Sequence, residues 1–313
     1  MRERRGESDR RSGGVAWLAA GLLSFGCAAT DGRPATDMRP ATGGAPEIGE
    51  RAESGGGPIP GPGSEATPSS RPVEWGYRGE LSPDRWAGLS PAYEACRHVG
   101  TQSPIDLPGD LGPGDTVRIE MDYRPSGLRI AHHRNVTDIL DDGHTIQVTV
   151  EEGSQLTTPR DVYALRQFHF HSPSEHSIDG RIHPLEVHFV HRSPSGRFAV
   201  LAALIDRGEA NPNLARLIEH FPPERGAVVH RPEIEIDPGA HFAKTLSALT
   251  YAGSFTTPPC TEDVEWLVLD EPLTASSEQI EKFAEKLEGN ARPVQPRGSR
   301  TIGRRSLARM GGD

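Results

Sequence analysis

The chain has 313 residues with 44 acidic against 34 basic side chains, a formal net charge of −10. That length allows one large domain or two ordinary ones, while the acidic balance argues against a nucleic-acid partner, which needs a concentrated basic face. Three cysteines exclude a disulfide-dense scaffold, and a hydrophobic content of only 35% implies that part of the chain builds no core.

The first 12 residues (MRERRGESDRRS) are basic and are followed by a short apolar run at 15–26 (VAWLAAGLLSFG). About 20 apolar residues are needed to cross a bilayer, so the pattern predicts a secretory signal rather than a membrane span. The run ends at Gly26-Cys27, which resembles the lipobox of bacterial lipoproteins, although Leu23 stands one place early. The expectation is a signal peptide over 1–27, lipidation at Cys27, and export to the periplasm or cell envelope. Any membrane association would then be through that anchor alone. Residues 31–72 contain 9 Gly and 8 Pro, too little apolar surface to offset chain entropy, so 28–72 is expected to be a disordered tether.

From Val73 onward aromatic residues and apolar periodicity appear, and a single domain is expected over 73–305, with 306–313 as a tail. Val117, Ile119, Met121 and Tyr123 alternate with polar residues, as do Ile146, Val148 and Val150, which predicts half-buried strands. The continuous run Phe198–Ile205 reads as a central strand buried on both faces. Helical spacing appears at Leu214, Leu217, Ile218 and Phe221, after an Asn211-Pro212 start signal. It recurs at Ile280, Phe283, Ala284 and Leu287, with Ser276 and Gln279 as a capping box and Gly289 as the stop. The basic stretch Arg297–Arg309 reads as a surface-bound or frayed terminus. The fold class is mostly β with a few peripheral helices.

Thirteen histidines carry the chemistry. In Gln167-Phe168-His169-Phe170-His171, alternation puts Gln167, His169 and His171 on one strand face and the two phenylalanines on the other. Two such imidazoles can lean onto one ion, and catalytic zinc takes three protein ligands with an open fourth position. Glu186-Val187-His188 offers a third imidazole from another strand. A strand histidine alone is more often a satisfied core residue than a ligand. Here, however, Gln167 and Glu186 each stand two positions before a candidate ligand, where they can accept the second ring N–H. Neither a cysteine ligand nor a fourth protein ligand is evident, which favours catalytic zinc over a structural site.

The chain resembles the α-class carbonic anhydrases along most of 73–305. The motifs that carry the likeness are Trp75-Gly76-Tyr77, Gly100–Ile105 (GTQSPI), Leu165–His176 (LRQFHFHSPSEH), Glu186–His191 (EVHFVH), Ser254–Glu262 (SFTTPPCTE) and Asn290–Gln295 (NARPVQ), in family order. The resemblance implies a twisted, mainly antiparallel sheet of about ten strands. It also implies reversible hydration of CO2 to bicarbonate and a proton, with one Zn2+ on His169, His171 and His188. Thr256 would accept from the zinc-bound hydroxide and donate to Glu175. Val190, Val200, Phe255, Val264 and Trp266 would form the apolar CO2 wall, with Tyr77 and Thr257 also in the pocket. Phe255 replaces the family's usual leucine. Sulfonamide and anion inhibitors would bind there, and a homodimer stays open.

His144 matches the family's proton shuttle, with Asp142 where asparagine is usual; the aspartate charge would raise the His144 pKa. Cys96 and Cys260 fall where many bacterial members form a disulfide. His176 and His191 are expected to be structural, and His132, His133 and His183 solvated. Asn135-Val136-Thr137 fits a glycosylation acceptor but carries no expectation in an exported bacterial chain. Two alternatives remain: a carbonic anhydrase-like binding module without turnover, and a zinc esterase or hydrolase, for which no HExxH motif or nucleophile elbow is present.

Overall fold

A computed structural model describes residues 73–112, 115–132, 144–240, 242–243 and 245–310. The expected signal segment with Cys27, the expected tether, His133, Asn135 and Asp142 lie outside the described residues, as does the side chain of His132. In chain order the strands are β1 (Asp106–Leu107), β2 (Asp115–Asp122), β3 (Ser126–His132), β4 (Ile146–Thr149), β5 (Gln155–Thr157) and β6 (Val162–His171). They continue as β7 (Ser177–Ile178), β8 (Arg181–Ile182), β9 (Leu185–Arg192), β10 (Phe198–Arg207) and β11 (Val228–Ile236). The last four are β12 (Thr245–Ser254), β13 (Glu262–Leu269), β14 (Leu273–Ala275) and β15 (Gly303–Arg309). The α-helices are α1 (Trp86–Leu89), α2 (Pro212–Glu219) and α3 (Ser277–Leu287).

Among the described residues twelve strands form one mixed sheet in the order β11-β3-β4-β6-β5-β2-β15-β12-β13-β10-β14, with β9 joining β6 to β10. This fits the expectation of about ten strands. Most pairs are antiparallel, but β10 runs parallel to β13 and β14, and β15 parallel to β2. A small separate sheet pairs β1, β7 and β8.

The apolar run of β10 is buried throughout because both of its faces are covered. Ala199, Leu201, Ala203 and Ile205 enter one core with Phe168, Phe170, Val187 and Phe189. Phe198, Val200 and Ala202 enter a second with Val190, Phe255 and Trp266. Helices α2 and α3 pack on the first core, while Trp86 of α1 packs with Trp75, Tyr93, Cys96 and Cys260. Asn211 caps α2 by accepting from the Leu214 N–H at 3.0 Å, and the helix ends at Glu219, so Phe221 packs just beyond it. Both bonds of the Ser276/Gln279 capping box are present in α3. The helix stops where Glu288 and Gly289 both turn left-handed, with φ of 53° and 79°. Phe283 of α3 meets Phe170 at a ring-centroid distance of 4.5 Å, bracing the back of β6.

Two expectations are corrected. Gly303–Arg309 is not a frayed terminus: it is β15, hydrogen-bonded to β12 on one side and β2 on the other, with Leu307 fully buried. The expected boundary at 305 therefore cuts an interior strand. His183 is not solvated. It is 2% exposed, its Nδ1 donates to Asp206 Oδ1 at 2.9 Å, and its backbone N–H donates to Ser174 Oγ at 2.9 Å. An aspartate at the end of β10 supplies the acceptor that makes burial of this imidazole tolerable.

Candidate metal centre

Antiparallel pairing of β6 with β9 sets His169 directly opposite His188, and His171 opposite Glu186. The two phenylalanines that alternate with the β6 histidines face the core, so their burial fixes which way the imidazoles point. The three rings converge, with centroids 5.0 Å apart for His169–His171, 5.2 Å for His169–His188 and 4.5 Å for His171–His188. One nitrogen from each lies within 4.8 Å of the other two, and all three residues are buried.

Each ring is oriented through its other nitrogen. His169 Nδ1 donates to Gln167 Oε1 at 2.8 Å, and His188 Nε2 to Glu186 Oε1 at 2.8 Å. His171 Nδ1 donates to the backbone carbonyl of Asn290 at 2.9 Å. The ligand atoms this arrangement presents are thus Nε2 of His169 and His171 and Nδ1 of His188. The Asn290 carbonyl carried no sequence signal as an orienting group, because a backbone acceptor has no residue type to read.

Glu186 is shared. Its Oε2 accepts from the backbone N–H groups of Glu175 and His176, each at 2.8 Å, and its Oε1 also accepts from His176 Nδ1 at 2.7 Å. Burial alone would push its carboxyl up, but His176 and His188 outweigh burial and hold it well below the ordinary range. Burial lowers His188 to about 3, against the opposing pull of Glu186. His176 Nε2 pairs with the Tyr251 hydroxyl at 2.7 Å, and that hydroxyl donates to Ser103 Oγ at 2.8 Å. His191 faces the other way, paired with the Tyr123 hydroxyl at 2.6 Å.

Thr256 and Glu175 are both buried beside the histidines. Burial pushes Glu175 up to about 7, while the His171 charge, the Thr256 hydroxyl and the Arg292 N–H pull it back. A cleft opens over His169 and His188, lined by Val190, Val200, Phe255 and Trp266 together with Thr256 and Thr257. Phe255 meets Phe198 edge-on at 4.9 Å. Val264 lies behind this wall, paired in register with Phe198.

His144 and Tyr77 are not brought into that cleft. They line a separate one with Trp75, Arg78, Leu81 and Arg225, where His144 Nε2 donates to the Trp75 carbonyl at 3.0 Å. The His144 ring packs edge-on against Trp75 and Tyr77, at 5.1 and 5.8 Å. Asn290 Nδ2 donates to the carbonyls of both His144 and Phe170, joining the two regions through one side chain. Cys96 and Cys260 form a disulfide that ties the N-terminal segment to the loop following Thr257.

The family model described as eukaryotic-type carbonic anhydrase matches residues 81–306. The chain belongs to the α-carbonic anhydrase family. A carbonic anhydrase of Pectobacterium carotovorum is 39% identical over 234 residues, covering 74% of this chain and 90% of that protein. A Nostoc carbonic anhydrase is 36% identical, covering 74% of this chain and 86% of its own length. The solved α-carbonic anhydrase of Thermovibrio ammonificans, in complex with the inhibitor sulfanilamide, aligns with a TM-score of 0.67 and 35% identity. It covers 74% of this chain and 98% of its own. The family's reaction, the hydration of CO2, is accordingly the activity of this chain.

Three imidazoles, each with a defined outer partner, are the donor set that suits a catalytic Zn2+ and leaves room for a fourth ligand. Among the described residues the cluster contains no cysteine and no fourth protein ligand. The site fits the metal that the family uses.

Proposed function

We propose that the chain holds one Zn2+ on His169, His171 and His188 and uses it to interconvert CO2 and bicarbonate. The carrying observation is the convergence of three buried imidazoles whose other nitrogens are held by Gln167, Asn290 and Glu186. The bound metal would supply Lewis acidity that makes water nucleophilic near neutral pH, the role for which carbonic anhydrases are the standard example.

The residues supply the rest. The Thr256 hydroxyl has one proton; donating it to Glu175 leaves its lone pairs free to accept from the attacking group and so fix the direction of attack. Glu175 can accept that proton bond because it is buried beside Thr256 and is itself held by the Arg292 N–H at 2.8 Å. Val190, Val200, Phe255 and Trp266 offer CO2 an apolar wall, which suits a substrate without a dipole. The same cleft is the proposed seat of sulfonamide and anion inhibitors. His144 is the proposed proton carrier, and its bond to Trp75 must break for the ring to turn from its own cleft towards the metal. The disulfide supports maturation in an oxidising compartment, in line with export.

Stopped-flow CO2 hydration tests the proposal. Zinc-loaded protein should hydrate CO2, and His188→Ala should lose both bound zinc and activity. A folded, zinc-loaded wild type without hydration would refute it and leave the non-catalytic binding module.

A further inference from the structure

Arg292 is 2% exposed, and nothing in the metal site requires a cation there. Its Nη1 donates to Gln102 Oε1 at 2.9 Å and to the Ser103 carbonyl at 2.8 Å, and its Nη2 to the Cys96 carbonyl at 2.8 Å. The guanidinium carbon lies 5.4 Å from the Trp86 ring centre. Burial lowers its pKa to about 10, with Glu175 and Tyr77 pulling it back up, so the side chain stays cationic at neutral pH. Burying a cation is costly, and a well-packed apolar residue is often as stabilising, so stability alone is a weak reason for this arginine.

Its location supplies a better one. The backbone N–H of Arg292 donates to Glu175 Oε1 at 2.8 Å. Residues 290–294 belong to no helix or strand, so no ladder sets the position of that N–H. Asn290 fixes the start of the segment through its bonds to His171, Ser172, His144 and Phe170, and the guanidinium is the anchor that residue 292 itself supplies. Two of the residues it holds also reach the other half of the pair: the Ser103 N–H donates to Ser254 Oγ at 3.0 Å and Ser103 Oγ accepts from the Ser254 N–H at 3.1 Å, while Gln102 Oε1 lies 3.2 Å from Ser254 Oγ. Ser254 stands two residues before Thr256.

We infer that Arg292 is a positioning residue for CO2 hydration, its buried guanidinium holding Glu175 through its own N–H and Thr256 through Gln102, Ser103 and Ser254. The inference rests on the function proposed above. It assigns to Arg292 no contact with substrate or metal.

The test compares Arg292→Met, Arg292→Lys, Glu175→Gln and the Arg292→Met/Glu175→Gln double variant in the zinc-loaded full chain. Displacing an orienting group typically costs about 10–100-fold, so kcat/KM should fall by that much in Arg292→Met and by less in Arg292→Lys. The double variant should be no slower than Glu175→Gln, because Arg292 acts through the carboxylate. The amide resonance of residue 292 should also move upfield in Arg292→Met, as its bond to the carboxylate is lost. A folded, zinc-loaded Arg292→Met within twofold of wild type would overturn the inference, as would losses that multiply in the double variant. If Arg292→Met does not fold, Arg292→Lys decides by the same comparison. An inactive wild type would refute the hydration proposal instead, and an unmoved residue-292 amide in Arg292→Lys would then overturn the inference independently.

Discussion

Replacing Glu186 separates its effect on the metal from its effect on the fold. The carboxylate is fully buried and takes four donors: the backbone N–H groups of Glu175 and His176, His176 Nδ1 and His188 Nε2. Truncation to alanine would leave all four buried donors unmatched, at about 1–3 kcal/mol each, which approaches the whole stability of a typical domain. Glu186→Ala is therefore expected not to accumulate as folded protein. Glu186→Gln keeps the shape and one acceptor oxygen, but its amide group must point two N–H bonds at two of the four donors. That should cost about 2–6 kcal/mol of stability, and the weaker acceptor should make His188 a poorer ligand. Loss of such an orienting partner typically weakens metal binding by about 10–100-fold, or about 1.4–2.7 kcal/mol. The assay is competition for zinc against a chromophoric chelator, paired with urea denaturation of the zinc-free protein. A folded Glu186→Gln whose zinc affinity stays within twofold of wild type would refute the reasoning that Glu186 tunes His188.

Two further outcomes are expected. Leu307→Ala should destabilise the protein by about 2–5 kcal/mol in urea unfolding, because β15 is an interior strand and Leu307 is fully buried; a change below 1 kcal/mol would return the segment to the surface. His191 is lowered from 6.5 to about 3, chiefly by burial, so the folded state keeps it neutral while the unfolded chain takes up a proton. The stability this group contributes is present above pH 6.5 and is lost as the pH falls from 6.5 towards 3, by about 1.4 kcal/mol per unit. Replacing it with glutamine should flatten the acid limb of the stability profile, and an unchanged slope would show that other groups set it.

The metal site was legible because it is written in local periodicity. Period-two alternation put His169 and His171 on one face and two phenylalanines on the other, and the same rule put Gln167 and Glu186 beside their ligands. The apolar run of β10 and the capping box of α3 are equally local, and both are present in the fold. Family motifs added what spacing could not, namely the roles proposed for Thr256 and Glu175 and the pairing of Cys96 with Cys260, which the fold contains.

Tertiary structure alone decided the groups whose partners lie far away in the chain. His183 looked like a surface residue until Asp206, 23 positions on, supplied its acceptor. Gly303–Arg309 shows little apolar alternation, since its burial comes from two neighbouring strands rather than from its own side chains. The Asn290 carbonyl and the Arg292 guanidinium act across 119 and 190 positions, through an irregular segment with no period to read. Whether His144 and Tyr77 face the metal or their own cleft depends on which aromatic neighbours the N-terminal segment brings to them. Alternation along a strand is a property of the covalent backbone, so the sequence by itself determined the ligand face. A hydrogen bond between distant segments exists only once the chain has closed on itself, so the supports of that face were settled only in the folded molecule.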